Sequence, residues 1–431
     1  MANLNHLPEA KKITTFRALR SRNYSLYFTG QSISQIGTWM QNTGVSWVVY
    51  SMTHSTFMLG VATFSLLFPR FVFSLYGGII SDRHNRYKIL LFTQIASLMQ
   101  AALLATLTLT NHYTVWELFT LSTILGVINA FDSPARQPLI HEMVFDREDL
   151  PNAVALNSSM VNFARIVGPA MAGIILVKFG AGICFLINAL SFMAVIISLL
   201  MMKLPVNNKP KPVKKRITTE LSDGFKYLKQ TPDLSMILLM VSMMSLLVLP
   251  YETLMPVFAK VIFKGDASTF GYIRSFISIG AIVGSIFLAS LKSGADLKFV
   301  LLTNTIILGI GLISFSLITW FPIAMVCAII IGFGAMALTT ICLTIVQVQT
   351  DEKLRGRVMS YLLMAMAGTL PLGGLLVGAI SQHTGAPYTL LGQGFLALVI
   401  AAFFARFLGR DRLYQHKLKS FEEAEIDNYQ P

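Results

Sequence analysis

Twelve long apolar segments dominate this sequence, and each is long enough to cross a lipid bilayer as a helix. A membrane-spanning helix needs about 20 mostly apolar residues. Because unpaired backbone amides and carbonyls are costly in lipid, a chain that crosses a bilayer this often is expected to be helical. We therefore predict an all-α integral membrane protein with twelve transmembrane helices, here called segments 1 to 12. In chain order they lie at 24–50, 56–81, 88–110, 115–140, 153–178, 183–203, 233–262, 269–291, 298–319, 322–349, 355–381 and 386–409.

The composition and the placement of charge agree with this prediction. Of 431 residues, 54% are hydrophobic and 13% are charged, whereas soluble domains carry about a quarter charged residues. The formal net charge of +13 would suggest a nucleic-acid partner in a soluble chain. Here the basic residues lie before segment 1, in every second connection and after segment 12, and the alternate connections carry only Lys178, Lys260 and Lys264. By the positive-inside rule, both termini are expected on the cytoplasmic side of the plasma (inner) membrane, with the lipid bilayer rather than nucleic acid as partner.

A polar stretch separates the first six segments from the last six. Its start is rich in Pro and Lys, as in a linker, and TTELSDGFKYLKQ then has the pattern of an amphipathic helix at the membrane surface. The stretches before segments 1 and 7 are weakly similar to each other, as are the connections after segments 4 and 10, which indicates a duplicated half. The predicted organisation is an N-terminal cytoplasmic stretch 1–23, a bundle 24–203, a linker 204–232, a bundle 233–409 and a cytoplasmic tail 410–431.

The connection between segments 2 and 3 carries a dense charge cluster, GGIISDRHNRYK. It fits the pattern G-x-x-x-D-R-x-x-R-x-K, which resembles the signature of the loop between helices 2 and 3 in the major facilitator superfamily. The runs Pro134 to Ile175, Pro250 to Ala259 and Leu354 to Ser360 resemble the drug and siderophore exporter branch of that superfamily, which includes enterobactin exporters and macrolide efflux pumps. This resemblance implies two pseudo-symmetric six-helix halves around a central substrate site. The residues of the loop pattern are Gly78, Asp82, Arg83, Arg86 and Lys88.

The resemblance also implies a conformational latch on the cytoplasmic side. Asp82 would face the N-terminal end of helix 11, whose free amide groups favour an anion. Arg83 or Arg86 would reach Asp132 in segment 4, and this network would hold the two halves together. Alternatively, the basic residues only keep this loop in the cytoplasm. The corresponding loop of the second half, SLKSGADLK, lacks the D-R-x-x-R core.

Segment 5 contains a second family-like element. Gly168, Pro169 and Gly173 resemble the G-P-x-x-G-G element associated with a helix kink in antiporters, although Ala172 replaces one of its glycines. The resemblance therefore implies exchange transport.

Ionisable side chains inside the membrane are costly, at about 2.5–3.5 kcal/mol each on insertion scales, and are candidates for function. Arg70, Asp132, Arg165, Glu252 and Arg274 lie inside predicted segments. Glu252 lies between two prolines of segment 7, where missing backbone donors favour a break in the helix. We predict Glu252 and Asp132 as proton-coupling residues; the alternative for Glu252 is a static ion pair with Arg274.

Polar stripes on segments 1, 4 and 10 predict a water-filled path, because lipid would not accommodate them. Arg165 in segment 5 suits an anionic or carboxylate-bearing substrate, or it is held by backbone carbonyls or by Asp132. The candidate substrate-binding residues are Gln35, Thr38, Asn42, Asn162, Arg165, Glu252, Arg274, Thr344 and Gln347.

These features favour a secondary transporter over an enzyme. The sequence has no nucleotide-binding P-loop, catalytic triad or metal motif, and its three cysteines have no paired spacing, so we expect no cofactor and no metal. The hypothesis is a monomeric, proton-coupled exporter of a small amphipathic or anionic molecule, such as a siderophore or a drug, that works by alternating access. An importer of a siderophore or nutrient, or a lipid transporter, would share nearly all of these features.

Overall fold

The computed structural model describes residues 15–203, 217–292, 294–352 and 354–427, without the side chains of Arg147, 217–223 and 409–427. The predicted linker start and the ends of both termini lie outside these residues. All repeating secondary structure in the described residues is helical, and it contains twelve long helices. They are α1 Arg22–Thr53, α2 Thr56–Arg83, α3 Arg86–Leu109, α4 Val115–Met143, α5 150–179, α6 181–200, α7 Pro232–Ile262, α8 Ala267–Ala289, α9 Leu297–Leu317, α10 Phe321–Gln349, α11 Arg355–Thr384 and α12 Ala386–Asp427.

Helices α5 and α6 form one continuous stretch, Leu150–Leu200, that is broken at Gly180. The φ of Gly180 is 81°, a conformation that glycine adopts without the steric cost that a side chain would add. The break turns the chain back, so the stretch crosses twice, as segments 5 and 6 predicted.

Ten helical stretches among the described residues are long and apolar enough to cross a membrane, with Leu150–Leu200 counted once and α1 not counted. Helix α1 is less apolar because it carries the polar stripe that includes Gln31, Gln35 and Asn42. It packs along α5 and lines a cavity, so these side chains do not face lipid. With α1 and the break at Gly180 included, the twelve predicted transmembrane helices are confirmed.

Helix α7 is irregular where the two prolines were predicted to break it. A regular helix, Pro232–Leu247, is followed by a 3-10 turn at Leu249–Leu254, a short helix Met255–Val257 and a π-helical turn at Phe258–Ile262. Pro250 and Pro256 lack the amide hydrogens that a regular helix would use. The break brings Glu252 into the 3-10 turn.

A helix, Ile217–Gln230, lies in the stretch between the halves where a surface helix was predicted, and it is here called the linker helix. Gly224 and Phe225 of the linker helix contact Tyr361 of α11. The linker helix therefore packs against the second half near the start of α11.

The two six-helix halves meet along two helix pairs, α2 with α11 and α5 with α8. Consecutive helices are antiparallel, so the connections after α2, α4, α8 and α10 share one face with the residues that precede α1. We call this the terminal face, and the other the opposite face.

The halves are in close contact at the opposite face. The Thr56 hydroxyl donates to the Gly378 carbonyl oxygen at 2.9 Å, and Gln382 Oε1 accepts from the Thr56 amide at 3.0 Å, which caps the start of α2 from the other half. Gly60 crosses Gly374 so closely that a methyl group on Gly60 would lie 2.5 Å from the Gly374 carbonyl oxygen.

The halves are apart at the terminal face. A methyl group on Gly78 of α2, or on Gly356 of α11, would meet no atom within 4 Å. The side chain of Asp82 is 71% exposed. The space between the halves is therefore closed at the opposite face and open toward the terminal face.

Candidate transport cavity

A cavity of about 930 Å³ lies between the two halves. Helices α1, α2, α4, α5, α7, α8, α10 and α11 supply most of its lining. Pockets that bind drug-sized molecules measure about 300–1,000 Å³, so this cavity is of a size for one small molecule.

Two walls of the cavity differ in polarity. The α1 wall is mainly polar along several turns and includes Gln31, Gln35, Thr38 and Asn42. The α10 and α11 wall is mainly apolar, with Met336, Leu343, Leu363, Met366 and Leu370. The cavity thus has both polar and apolar walls.

Asp132 of α4 is at the centre of a saturated polar cluster in this cavity. Its Oδ1 accepts hydrogen bonds from Thr93 at 2.9 Å and Gln94 at 2.7 Å, and its Oδ2 accepts from Arg136 Nε at 2.9 Å and Nη2 at 2.5 Å. The Asp132 side chain is 7% exposed. Each carboxylate oxygen therefore has two donors, and the buried charge is paired.

Arg70 of α2 lies beside this cluster and lines the cavity. Its guanidinium donates to Ser133 Oγ at 3.2 Å, and no carboxylate among the described residues forms an ion pair with it. Since Arg136 already compensates Asp132, the charge of Arg70 is in excess.

Glu252 and Arg274 form a second, looser cluster. Arg274 Nη2 donates to Glu252 Oε2 at 3.2 Å, and Arg274 Nη1 donates to Thr43 Oγ1 of α1 at 3.0 Å. The Glu252 side chain remains 39% exposed. The ion pair between α7 and α8, the alternative that we gave for Glu252, is therefore present, and Arg274 also reaches across to the first half.

Arg165 of α5 completes the second cluster. Its guanidinium carbon lies 5.2 Å from the ring centre of Trp39, and that of Arg274 lies 5.7 Å from the same ring. A tryptophan ring attracts cations through its negative faces. Arg165 has no hydrogen-bond acceptor or ion-pair partner among the described residues, so its five N–H donors are available to a ligand.

The structure places most of the predicted substrate-binding residues in one cavity. Gln35, Thr38, Asn42, Arg165, Glu252 and Arg274 line it. Their role in binding remains a prediction.

Three predicted substrate-binding residues do not line the cavity. On α5 the lining row is Asn157, Val161 and Arg165, spaced by four, and Asn162 lies one residue off it. On α10 the last lining residue is Leu343, and Thr344 is rotated away from it by one residue, which is about 100°. Gln347 lies one turn beyond Leu343, near the end of α10, where it is exposed and outside the cavity lining. The Thr344 hydroxyl donates to the Thr340 carbonyl of its own helix at 2.9 Å.

The predicted kink residues of α5 lie where α5 crosses α1 and α8. Gly168 packs against Trp39, and Gly173 packs against the backbone of Ala267 and Ser268. A methyl group on either glycine would lie 2.5 Å from Trp39 Cβ or 2.7 Å from the Ala267 carbonyl oxygen, respectively. The helix is continuous through Pro169, and the non-helical residue of this stretch is Gly180.

The predicted contact of Arg83 or Arg86 with Asp132 is wrong in this conformation. Arg86 instead contacts Glu142 at 2.9 Å and Asp82 at 3.8 Å, while Arg83 is exposed. Asp132 is occupied by Arg136, one helical turn along α4. Gly78 and Asp82 face open space rather than α11, so the latch itself stays a prediction for a conformation that is closed at the terminal face.

Several contributors were not identified from the sequence. The pairing of Asp132 with Arg136 could have been predicted from the sequence, because an acid and an arginine four residues apart on a helix form a pair. The position of Trp39 in the cavity could also have been predicted, since Trp39 lies four residues from Gln35 on the polar stripe of α1. Thr43 and Glu142 act through contacts between helices, for which a single sequence gives no signal.

Comparison with known families gives a match over nearly the whole chain. A family described as transmembrane secretion effector, of the major facilitator superfamily, matches residues 13–428.

Characterised relatives match at modest identity. The staphyloferrin A transporter of Staphylococcus aureus is 25% identical, over 88% of this chain and 94% of the relative. The macrolide efflux protein A of Streptococcus pyogenes is 23% identical, over 88% and 95%. The enterobactin exporter EntS of Shigella boydii is 25% identical, over 88% and 92%.

Solved structures share the fold. A bacterial homologue of the human lysosomal transporter Spinster matches with a TM-score of 0.70 and 13% identity, over 89% of this chain and 96% of that one. At this identity the likeness concerns the arrangement of helices alone.

Proposed function

This chain belongs to the transmembrane secretion effector family of the major facilitator superfamily, and we propose that it exports a small amphipathic anion, powered by the proton gradient. As a multi-pass membrane transporter it moves a small molecule across the bilayer. The observation that carries the proposal is the charge of the cavity: four arginines line it, with two carboxylates to compensate them. These residues are Arg70, Arg136, Arg165, Arg274, Asp132 and Glu252.

An excess of guanidinium groups in a partly desolvated cavity favours an anion. Charged groups interact more strongly there than in bulk water, and guanidinium donors pair with carboxylates in a bidentate manner. The apolar wall of α10 and α11 would hold the hydrophobic part of the same molecule.

The relatives narrow the substrate class. Two of them are named for siderophores, staphyloferrin A and enterobactin, and one for macrolides. A siderophore or a related anionic metabolite is our first candidate, because it combines anionic groups with a small-molecule scaffold. Hydrophobic drugs are the second.

The direction that we propose, export, is supported by the relatives that are named for efflux and export. The positive-inside rule puts the terminal face in the cytoplasm, in the plasma (inner) membrane. The cavity is then open to the cytoplasm, where an exported substrate binds. In the outward-open state the terminal face would close and bring Gly78 and Asp82 to the start of α11.

Glu252 is our first candidate for the proton-binding residue, and Asp132 is the second. Protonation of Glu252 would release Arg274, so the two states of this carboxylate present different cavities to the substrate. Asp132 has four donors and a buried position, which favour one fixed state. We expect the protein to act as a monomer, since each chain has its own cavity.

Transport by everted membrane vesicles tests this proposal. The substrates are iron-free and ferric siderophores, a macrolide and ethidium, and a proton gradient is imposed. We expect accumulation of an iron-free siderophore that stops when an uncoupler collapses the gradient. Accumulation only in right-side-out vesicles would indicate an importer instead, and copurified lipid with no accumulation of the panel would indicate a lipid transporter.

A further inference from the structure

The charged residues of the cavity fall into two clusters of the same composition. The first contains Arg70, Asp132 and Arg136, which lie on α2 and α4. The second contains Arg165, Glu252 and Arg274, which all lie near Tyr251. Each cluster has two guanidinium groups and one carboxylate, so each leaves one positive charge uncompensated when the carboxylate is ionised.

In the first cluster the uncompensated group is Arg70. Asp132 has no free acceptor position toward it, because Thr93, Gln94 and Arg136 occupy both carboxylate oxygens. One N–H group of Arg70 donates a hydrogen bond to Ser133 Oγ. Its other N–H groups are available to a molecule in the cavity.

In the second cluster the uncompensated group is Arg165. The Trp39 ring lies beside both Arg165 and Arg274, and Arg274 is further fixed by Thr43 and Glu252. The guanidinium groups of Arg165 and Arg274 therefore lie near the same ring, and among the described residues Glu252 pairs with Arg274 alone. A ligand oxyanion can be received here without breaking a pair.

We propose that the cavity binds a substrate with two anionic groups, one at Arg70 and one at Arg165. This deepens the proposed function, because it rests on an anionic cargo and adds a requirement for two separated charges. A carboxylate at each site replaces water with charge-assisted bidentate hydrogen bonds. A monoanion can satisfy one cluster and leaves the other charge uncompensated.

Binding of α,ω-dicarboxylates of increasing chain length to the purified full-length protein tests the proposal. Each is compared with the monocarboxylate in which one acid is replaced by its amide, and binding is followed by isothermal calorimetry. We expect one chain length to bind at least about tenfold more tightly than its monoamide, as for an added bidentate ion pair. Equal affinity at every length, or equal affinity for acid and monoamide, would overturn the proposal.

Two variants assign the sites. Arg70→Gln and Arg165→Gln should each reduce binding of the best dicarboxylate to that of its monoamide. Neither change leaves a carboxylate without its observed partner, so both variants should fold. Arg20→Gln removes an exposed arginine outside the cavity lining and is the matched control. An unchanged chain-length optimum in either cavity variant would also overturn the proposal.

The vesicle assay separates this inference from the proposed function. If an anionic substrate is exported but the dicarboxylates show no optimum length, the two-site inference fails and the exporter stands. If no anion is bound or exported, the proposed function fails and the two-site inference with it.

Discussion

The two carboxylate–arginine pairs of the cavity have the same chemistry but different surroundings. Asp132 and Arg136 lie on one helix, and the carboxylate is buried with four donors on its two oxygens. Glu252 and Arg274 lie on two helices, share one contact at 3.2 Å, and leave the carboxylate 39% exposed.

We infer from this difference that the first pair is a fixed part of the cavity wall and the second an exchangeable part of the site. Asp132 ties α4 to α3 through Thr93 and Gln94, so a change in its charge would disrupt the packing of the first half. Glu252 lies in the 3-10 turn of α7 and can change partners without loss of regular helix. We therefore propose that the Asp132–Arg136 pair stabilises the fold and that the Glu252–Arg274 pair couples transport to the proton.

Asp132→Asn should have the largest effect on stability. It removes the charge that compensates buried Arg136, and loss of one member of a buried pair costs about 3–5 kcal/mol. Thermal unfolding of purified protein in detergent measures the loss. Glu252→Gln serves as the matched control, and equal unfolding temperatures for the two variants would contradict the distinction between the pairs.

The double variant Asp132→Asn with Arg136→Gln sharpens this result. Because it removes both charges, its loss of stability should be smaller than the sum of the single losses by about 1–3 kcal/mol. The four-member cycle of unfolding free energies gives this coupling. Additive losses would mean that the contact does not determine the stability of this region.

Glu252→Gln should leave stability within about 1 kcal/mol of the wild type, because the pair is partly exposed and screened by water. Glutamine can still accept a hydrogen bond from Arg274 but cannot take up a proton. Transport driven by an imposed proton gradient should fall at least about tenfold, and a tenfold change corresponds to about 1.4 kcal/mol. Vesicle uptake at matched protein level measures this, and wild-type gradient dependence in the variant would exclude Glu252 as the coupling group.

The smallest overall effect is expected at the pair near the terminal face, Arg86 with Glu142, because this pair lies outside the cavity lining. Both side chains are about a quarter exposed, and such pairs contribute about 0–1 kcal/mol. Glu142→Gln should shift the unfolding free energy by no more than that. A loss as large as that of Asp132→Asn would show that exposure does not separate the two kinds of pair.

The sequence was sufficient for the fold because the signals there are long and redundant. Twelve apolar segments of bilayer length left little choice of architecture. The break in α7 followed from Pro250 and Pro256. Except for α12, which continues to Asp427, the helix ends were predicted to within about three residues for the same reason, since charged or turn residues flank each segment.

The cavity was predicted less completely, because lining depends on the rotation of each helix. An error of one residue turns the predicted row by about 100°, and this removed Asn162 and Thr344 from the cavity. Gln347 was removed because the lining of α10 ends one turn before it. The partner of Arg86 depended on how close α3 lies to the end of α4, which a single sequence does not record. The partner of Asp132 did have a local signal, in its spacing from Arg136.

The most direct test of the account is to count protons when substrate binds. Purified protein in weakly buffered detergent solution receives the anionic substrate that vesicles transport, and a pH indicator records the change. We predict a change that approaches one proton per substrate, is lost in Glu252→Gln and is retained in Glu142→Gln. Release of a proton on substrate binding would indicate exchange of proton for substrate. Uptake of a proton would indicate that the proton moves together with the substrate. No change in the wild type, or an equal change in Glu252→Gln, would contradict the assignment of Glu252 as the exchangeable carboxylate.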